Sequence, residues 1–152
     1  MRVAIALGAN LGDREAAFRF AVDRLAPFVS SLTISSFVET DPEGEGLSDQ
    51  PRYLNAVAVG ETSLTAREML DRLLEIEQSY GRERPYPGAP RTLDLDLILL
   101  GDTIEHSPRL HVPHPRFRRR AFVLAPLADI APEIVDPVTG FTAAELLKKL
   151  EE

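Results

Sequence analysis

The chain has 152 residues, no cysteine and a formal net charge of −7. That length suits one domain with a full core, and the composition excludes disulfides, thiol nucleophiles and cysteine metal sites. No apolar run reaches the roughly 18 residues of a spanning helix, and the acidic balance disfavours non-specific nucleic-acid binding.

Charge is unevenly spread. Of 17 basic residues 15 are arginine; Lys148 and Lys149 are the others. From position 82 to 120, Arg82, Arg84, Arg91, Arg109, Arg116, Arg118, Arg119 and Arg120 stand against five acids, so that stretch carries +3 and the remainder −10. Arginine suits bidentate phosphate recognition. Scarce Asn, Gln and Met beside twelve prolines are also the mark of heat adaptation. The clustering favours the phosphate explanation.

In chain order, Met1 to Ile5 begins directly on a strand pattern without a signal peptide, so a cytoplasmic protein is expected. Arg2–Leu7 reads as a buried strand and positions 8–12 (Gly-Ala-Asn-Leu-Gly) as a tight turn. The turn is not GxGxxG, which leaves a dinucleotide site little support. Asp13 is a good N-cap for a helix to about Leu25, with Ala17, Phe18, Ala21 and Val22 at helical spacing and Pro27 beyond its end. Leu32–Glu39 reads as a second strand. Thr40–Gln50 is a polar, glycine-bearing loop long enough to act as a lid. In a third strand, Arg52–Val59, Tyr53 and Asn55 point one way and Leu54, Ala56 and Ala58 the other. An aromatic and an amide on one face can stack on a flat heterocycle and read its edge. Thr65 and Glu68 form a capping box, with Leu64 and Met69 as staple. This opens a helix that runs past Leu73, Ile76 and Tyr80 to Gly81 as C′. Glu77 sits badly against that helix's dipole and asks for Arg82 or Arg84 as partner. Gly81–Pro90 is an irregular, proline-bearing loop that delivers arginines to the next strand.

That strand is the most informative stretch. From Leu93 to Leu97 apolar and acidic residues alternate. The period predicts Leu93, Leu95, Leu97 and Leu99 on one face and Asp94 and Asp96 on the other. Two residues along a strand span roughly 7 Å, so both carboxylates can lean on one point. Like charges so placed repel unless a cation lies between them, and Mg²⁺ is commonly held by one or two carboxylates plus substrate phosphates. Arg91, three residues ahead, adds to the phosphate reading. By itself the pair is also what a solvated edge strand shows.

Beyond a turn at Gly101-Asp102 comes an extended, proline-bounded piece, Arg109–Pro115. Its His111 and His114 are site candidates by their company. Arg116–Asp129 begins basic and becomes apolar. Asp136–Gly140 is a turn. Thr142 and Glu145 make a second capping box, with Phe141 and Leu146 as staple, for the last helix. The order strand, helix, strand, strand, helix, strand, helical tail predicts one α+β domain over 1–152. This is a ferredoxin-like (βαββαβ) antiparallel sheet with helices on one face and a C-terminal helical extension. The other face is left for ligands, where Tyr53, Asn55, Asp94 and Asp96 are expected together.

With these residues in place the chain resembles the 6-hydroxymethyl-7,8-dihydropterin pyrophosphokinase family of folate biosynthesis over nearly its whole length. The markers are positions 8–12, 49–56 (DQPRYLNA), 81–84 (GRER), 90–96 (PRTLDLD) and 112–114 (VPH). The resemblance implies transfer of the β,γ-diphosphate of ATP to the pterin hydroxymethyl group, with release of AMP. It implies two Mg²⁺ ions on Asp94 and Asp96, and Arg82 and Arg91 as catalytic arginines on the transferring phosphates. Gly8, Thr40, Asp41, Pro42, Tyr53, Asn55 and Phe122 would hold the pterin, with Tyr53 and Phe122 sandwiching it. Glu77, Arg84, Leu97, Arg109, His111, His114 and Arg120 would lie on the ATP side. Positions 41–50 and 82–91 match the family's mobile lids. A basic residue and a Trp usual in the second lid are replaced here by Pro87 and Gly88, and Pro115 stands where an aromatic is common. The expected partners are ATP and the pterin, with no nucleic acid or membrane, and the expected state is a monomer. A ferredoxin-like nucleic-acid-binding module lacks its sheet-face aromatics and basic surface here. A metal-dependent nuclease would use Asp94 and Asp96 without a pterin. A non-catalytic ligand-binding domain leaves Arg91 and the aspartate pair unexplained.

Overall fold

Two helical crossovers and an otherwise antiparallel ladder set the architecture. The computed structural model describes residues 1–10, 12–41, 52–82 and 93–152. Among them the chain forms β1 (Arg2–Ala9), α1 (Arg14–Leu25), β2 (Ser30–Ile34), β3 (Val38–Thr40), β4 (Tyr53–Glu61), α2 (Ala66–Arg82) and β5 (Asp94–Leu100). A ribbon of β6 (Glu105–Ser107) and β7 (Leu110–Val112) follows, then a 3-10 turn (Phe117–Arg119), α3 (Ala121–Ile130) and α4 (Ala143–Glu151). The sheet order is β2-β4-β1-β5, with β3 also on β4 and every pairing antiparallel. Each crossover helix thus joins strands that have one other strand between them. This is the split βαβ arrangement, and right-handed crossovers put α1 and α2 on the same face.

Period 2 in β1 turns Val3, Ile5, Leu7 and Ala9 towards those helices, where Phe18, Leu25, Met69 and Leu73 complete the layer. Fully burying a Leu or Phe is worth about 1.5–3 kcal/mol, so this layer is the main hydrophobic contribution. The helix starts follow the sequence signals. Asp13 accepts from the Ala16 amide at 3.0 Å, and the Thr65–Glu68 and Thr142–Glu145 boxes both close. The C-terminal extension packs on the sheet's second face. There α3, α4 and the 3-10 turn cover Ala4, Val57, Val59, Ile98 and Leu99. Part of the face expected to stay open is therefore core.

Three expectations change. The second strand is not continuous over Leu32–Glu39. Ile34 pairs with Ala58 and Val38 with Asn55, so one residue is extra, and Ser35 bridges the gap. Its amide donates to Val57 O and its Oγ accepts from Val57 N, both at 2.9 Å. The second helix does not stop at Gly81 but continues to Arg82, because Gly81 stays helical instead of taking a left-handed cap. Leu99 does not share the face of Leu93, Leu95 and Leu97. The register shifts between Ala4 and Ile5, so Ile98 and Leu99 together oppose one residue of β1 and both join the second-face core.

Gly60 in β4 marks a close approach of backbones. A Cβ there would lie 2.4 Å from Val29 Cγ1 and 2.8 Å from Ser30 O. Gly60→Ala is expected to cost about 1–3 kcal/mol by overpacking, seen as a lower urea midpoint with an unchanged m-value. A wild-type midpoint would show that β2 retreats freely.

Candidate active site

The cleft starts from sheet register. Gly8 of β1 lies opposite Asn55 of β4 on one side and Asp94 of β5 on the other. Neighbouring strands are about 4.8 Å apart, so Asn55 and Asp94 stand about 10 Å apart across that row. One step along, Ala6 lies between Val57 and Asp96. Because Ala6 and Gly8 are small, the middle of the sheet's second face is open at this end. The result is a cleft of about 270 Å³.

Its first wall is β3 and β4, with Thr40, Asp41, Tyr53 and Asn55. Asn55 is buried, and its Nδ2 donates to Val38 O at 3.0 Å and Thr40 Oγ1 at 2.9 Å. Both amide donors are thus engaged within the protein. Oδ1 stands 3.8 Å from where a Cβ on Gly8 would be, so the amide presents an acceptor over the glycine.

The second wall is β5, where Asp94 and Asp96 are exposed on the cleft side. The backbone between them is held from behind: the Leu95 amide donates to Glu77 Oε2 of α2 at 2.8 Å. Among the described residues no three His, Cys, Asp or Glu gather as a metal cage. Two hard carboxylates with open space before them instead fit an ion that completes its shell with phosphate and water, as Mg²⁺ does.

The third wall follows a cis Val112–Pro113 peptide and contains His114, Phe117, Arg120, Phe122 and Val123. His114 is placed by the β5 bulge: its amide donates to Ile98 O at 3.0 Å. Its Nδ1 accepts from the Arg116 amide at 3.1 Å, so the neutral ring carries its proton on Nε2. Burial holds this imidazole below its ordinary pKa of 6.5, helped by Arg120, Arg116 and His111, while Asp96 pulls it back up. The Arg120 guanidinium lies 5.5 Å from the Phe122 ring centre, which pairs cation and aromatic at the start of α3.

Thus Gly8, Thr40, Asp41, Tyr53, Asn55, Asp94, Asp96, His114, Arg120 and Phe122 share one cleft. Four other candidates lie elsewhere. Glu77 braces Leu95, and Leu97 is core beneath α2, as an inward position of β5. Arg109 is exposed, and His111 faces its cross-strand partner His106 with ring centres 5.9 Å apart. Pro42, Arg84, Arg91 and the Arg82 side chain lie outside the described residues, as do both lid segments and the Pro87-Gly88 departure. Phe117, Ala6 and Ile98 were not singled out by sequence. The small residues Ala6 and Gly8, two apart on one strand face, were the available signal for an open sheet face.

Comparison with known proteins agrees with this geometry. The model of the 7,8-dihydro-6-hydroxymethylpterin-pyrophosphokinase (HPPK) family matches residues 4–132. The chain belongs to this family. It is an ATP-dependent pyrophosphokinase of folate biosynthesis. A 2-amino-4-hydroxy-6-hydroxymethyldihydropteridine pyrophosphokinase of Pseudomonas aeruginosa is 42% identical over 88% of this chain and 82% of its own. The Bacillus subtilis enzyme of the same name is 42% identical over 90% of this chain and 81% of its own. In fold, the chain is similar to a wild-type Plasmodium falciparum HPPK-DHPS solved with pteroate. The TM-score is 0.75 at 15% identity, covering 97% of this chain and 42% of that one.

The His114 environment has a pH consequence. A folded-state pKa below 6.5 means that the unfolded chain binds the proton more readily. The stability from neutral His114 is complete above pH 6.5 and is lost as pH falls through the folded value. Carboxylates held low, such as Glu68 and Glu145, act only below 4.5. The melting temperature should therefore fall between pH 6.5 and 4.5, and His114→Gln should flatten that slope. An unchanged slope in the variant would remove His114 as its source.

Proposed function

We propose that the cleft holds the hydroxymethyl pterin against β3, β4 and Phe122, and the ATP triphosphate against β5 and the 114–120 wall. The β,γ-diphosphate of ATP then passes to the pterin hydroxymethyl oxygen and AMP leaves. The observation that carries this reading is the common cleft of Asn55 and Tyr53 with Asp94 and Asp96, about 10 Å apart across Gly8. Tyr53 and Phe122 supply two aromatic faces for a flat heterocycle. Asn55 supplies a fixed acceptor for the pterin's edge N–H groups; Gly8 leaves room for the ring, Thr40 and Asp41 border it, and Pro42 follows them in sequence.

Asp94 and Asp96 would hold magnesium, two ions on this reading, which supplies charge neutralisation for the triphosphate. Phosphoryl transfer needs little else than position and electrostatics. His114 offers an Nε2–H donor and Arg120 a permanent charge to the nucleotide side. Arg82, Arg84 and Arg91 complete the reading as the last three arginines before β5 in sequence. Glu77, Leu97, Arg109 and His111 remain candidates there, but none lines the described cleft, so the nucleotide side rests on His114 and Arg120. On this reading the chain acts as one domain over 1–152, a cytoplasmic monomer that uses ATP.

AMP release from ATP should depend on the hydroxymethyl pterin. Asp94→Asn and Asp96→Asn should each remove nearly all of it with an unchanged circular dichroism spectrum. Folded variants that keep wild-type rates at limiting magnesium would exclude the metal role. Asn55→Ala should weaken pterin binding by about 1–3 kcal/mol, through an unpaired polar partner, and ATP binding much less. Calorimetry with each ligand alone decides it, and equal losses would mean a general defect.

A further inference from the structure

The arginines after His114 do not all serve the cleft. Arg120 lines it, whereas Arg118 turns away into the C-terminal segment. There Arg118 Nε donates to Asp136 Oδ2 at 2.6 Å and a terminal nitrogen donates to Oδ1 at 3.0 Å, a bidentate pair. Asp136 is 1% exposed and also accepts from the Val138 amide at 3.0 Å and the Thr139 hydroxyl at 2.8 Å. Burial pushes its carboxyl up, but the bonds from Arg118, Thr139 and Val138 outweigh this and hold it below its usual value. The turn that carries Asp136 is itself closed, by Asp136 N to Phe141 O at 2.9 Å and Gly140 N to Asp136 O at 2.8 Å.

On its other side the Arg118 guanidinium lies 4.8 Å from the centre of the Phe117 ring, which is fully buried and forms part of the cleft. From His114 to Arg120 the chain makes one 3-10 turn. Two of its three backbone bonds are long: Phe117 N to His114 O is 3.4 Å and Arg120 N to Phe117 O is 3.3 Å, against 3.1 Å for Arg119 N to Arg116 O. A turn of this kind restrains itself poorly. The Arg118–Asp136 pair ties it to the C-terminal segment, beside the burial of Phe117.

We propose that Asp136, acting through Arg118, is a positioning residue for the nucleotide: it pins the turn at 117–119 so that His114 and Arg120 keep their places on the cleft wall. The inference rests on reading that wall as the nucleotide side. Asp136 lies beyond residues 4–132 matched by the family model, so this control belongs to the C-terminal extension.

The test is steady-state AMP release, with ATP titrated at saturating pterin and pterin at saturating ATP. Asp136→Asn and Arg118→Met should raise the ATP KM about ten-fold or more, with kcat and the pterin KM changed less than about three-fold. Arg118→Lys, which keeps a charged donor, should recover most of the loss. Thr142→Ala loosens the same segment by removing the α4 cap and should leave the ATP KM at the wild-type value. A normal ATP KM in folded Asp136→Asn, or an equal rise in Thr142→Ala, overturns the proposal. Arg120→Ala separates the two readings. If it leaves the ATP KM unchanged, the nucleotide reading of the wall fails. If it raises the KM while Asp136→Asn does not, only the positioning role fails. Should the single variants not fold, Arg118→Met combined with Asp136→Leu replaces the buried pair by apolar groups, an exchange often neutral for stability. A raised ATP KM in that double variant supports the proposal and a wild-type value overturns it.

Discussion

The register of β1 between β4 and β5 is the constraint from which the site follows. Gly8 opposite both Asn55 and Asp94, and Ala6 opposite Asp96, set the spacing between the amide and the carboxylates. No local feature of the cleft could hold that register. It is specified on the opposite face, where Val3, Ile5 and Leu7 bury against α1 and α2. A slip of one residue would send Leu7 into the cleft and Gly8 into the core, and would expose the rest of the apolar set. The hydrophobic layer beneath the sheet is therefore also what aligns the polar groups above it.

Above the sheet, one surface is shared by a core and a cleft. The C-terminal helices cover the end where β4 presents Val57 and Val59, and stop where it presents Asn55 and Tyr53. The β5 bulge marks this boundary and acts on both sides of it. It turns Ile98 and Leu99 together under the helices, and it leaves the Ile98 carbonyl to accept from the His114 amide. A local irregularity in an edge strand thus connects the aspartate wall to the histidine wall.

Charge is arranged on the same plan. The chain is acidic overall, yet its arginines cluster from position 82 to 120. They divide by role: Arg120 enters the cleft, Arg118 is fastened to buried Asp136, and Arg116 and Arg119 are exposed. Exposed pairs elsewhere, such as Arg2–Glu133, contribute little to stability. The Arg118 pair differs because Asp136 is out of water with its oxygens fully engaged, so loss of one partner would strand a charge.

The βαββαβ order, both capping boxes, the Asp13 cap and the opposite facing of Asn55 and Leu54 were legible in the sequence. Each follows from local periodicity or from a side chain bonding its own backbone within three residues. The Asp94/Asp96 pair was legible for the same reason. What sequence could not decide depends on partners distant along the chain. The break at Ser35 needs Val57 opposite it, and the turning of Leu99 needs the bulge against Ala4 and Ile5. The capture of both Asn55 donors needs Val38 and Thr40 on the next strand. Glu77 takes the Leu95 amide, because an edge strand packed beside α2 presents that N–H to it. The run of arginines after His114 looked uniform in one dimension. Only packing of the C-terminal turn assigned Arg118 to Asp136 and Arg120 to the cleft, since a pairing across 18 residues of sequence leaves no periodic trace.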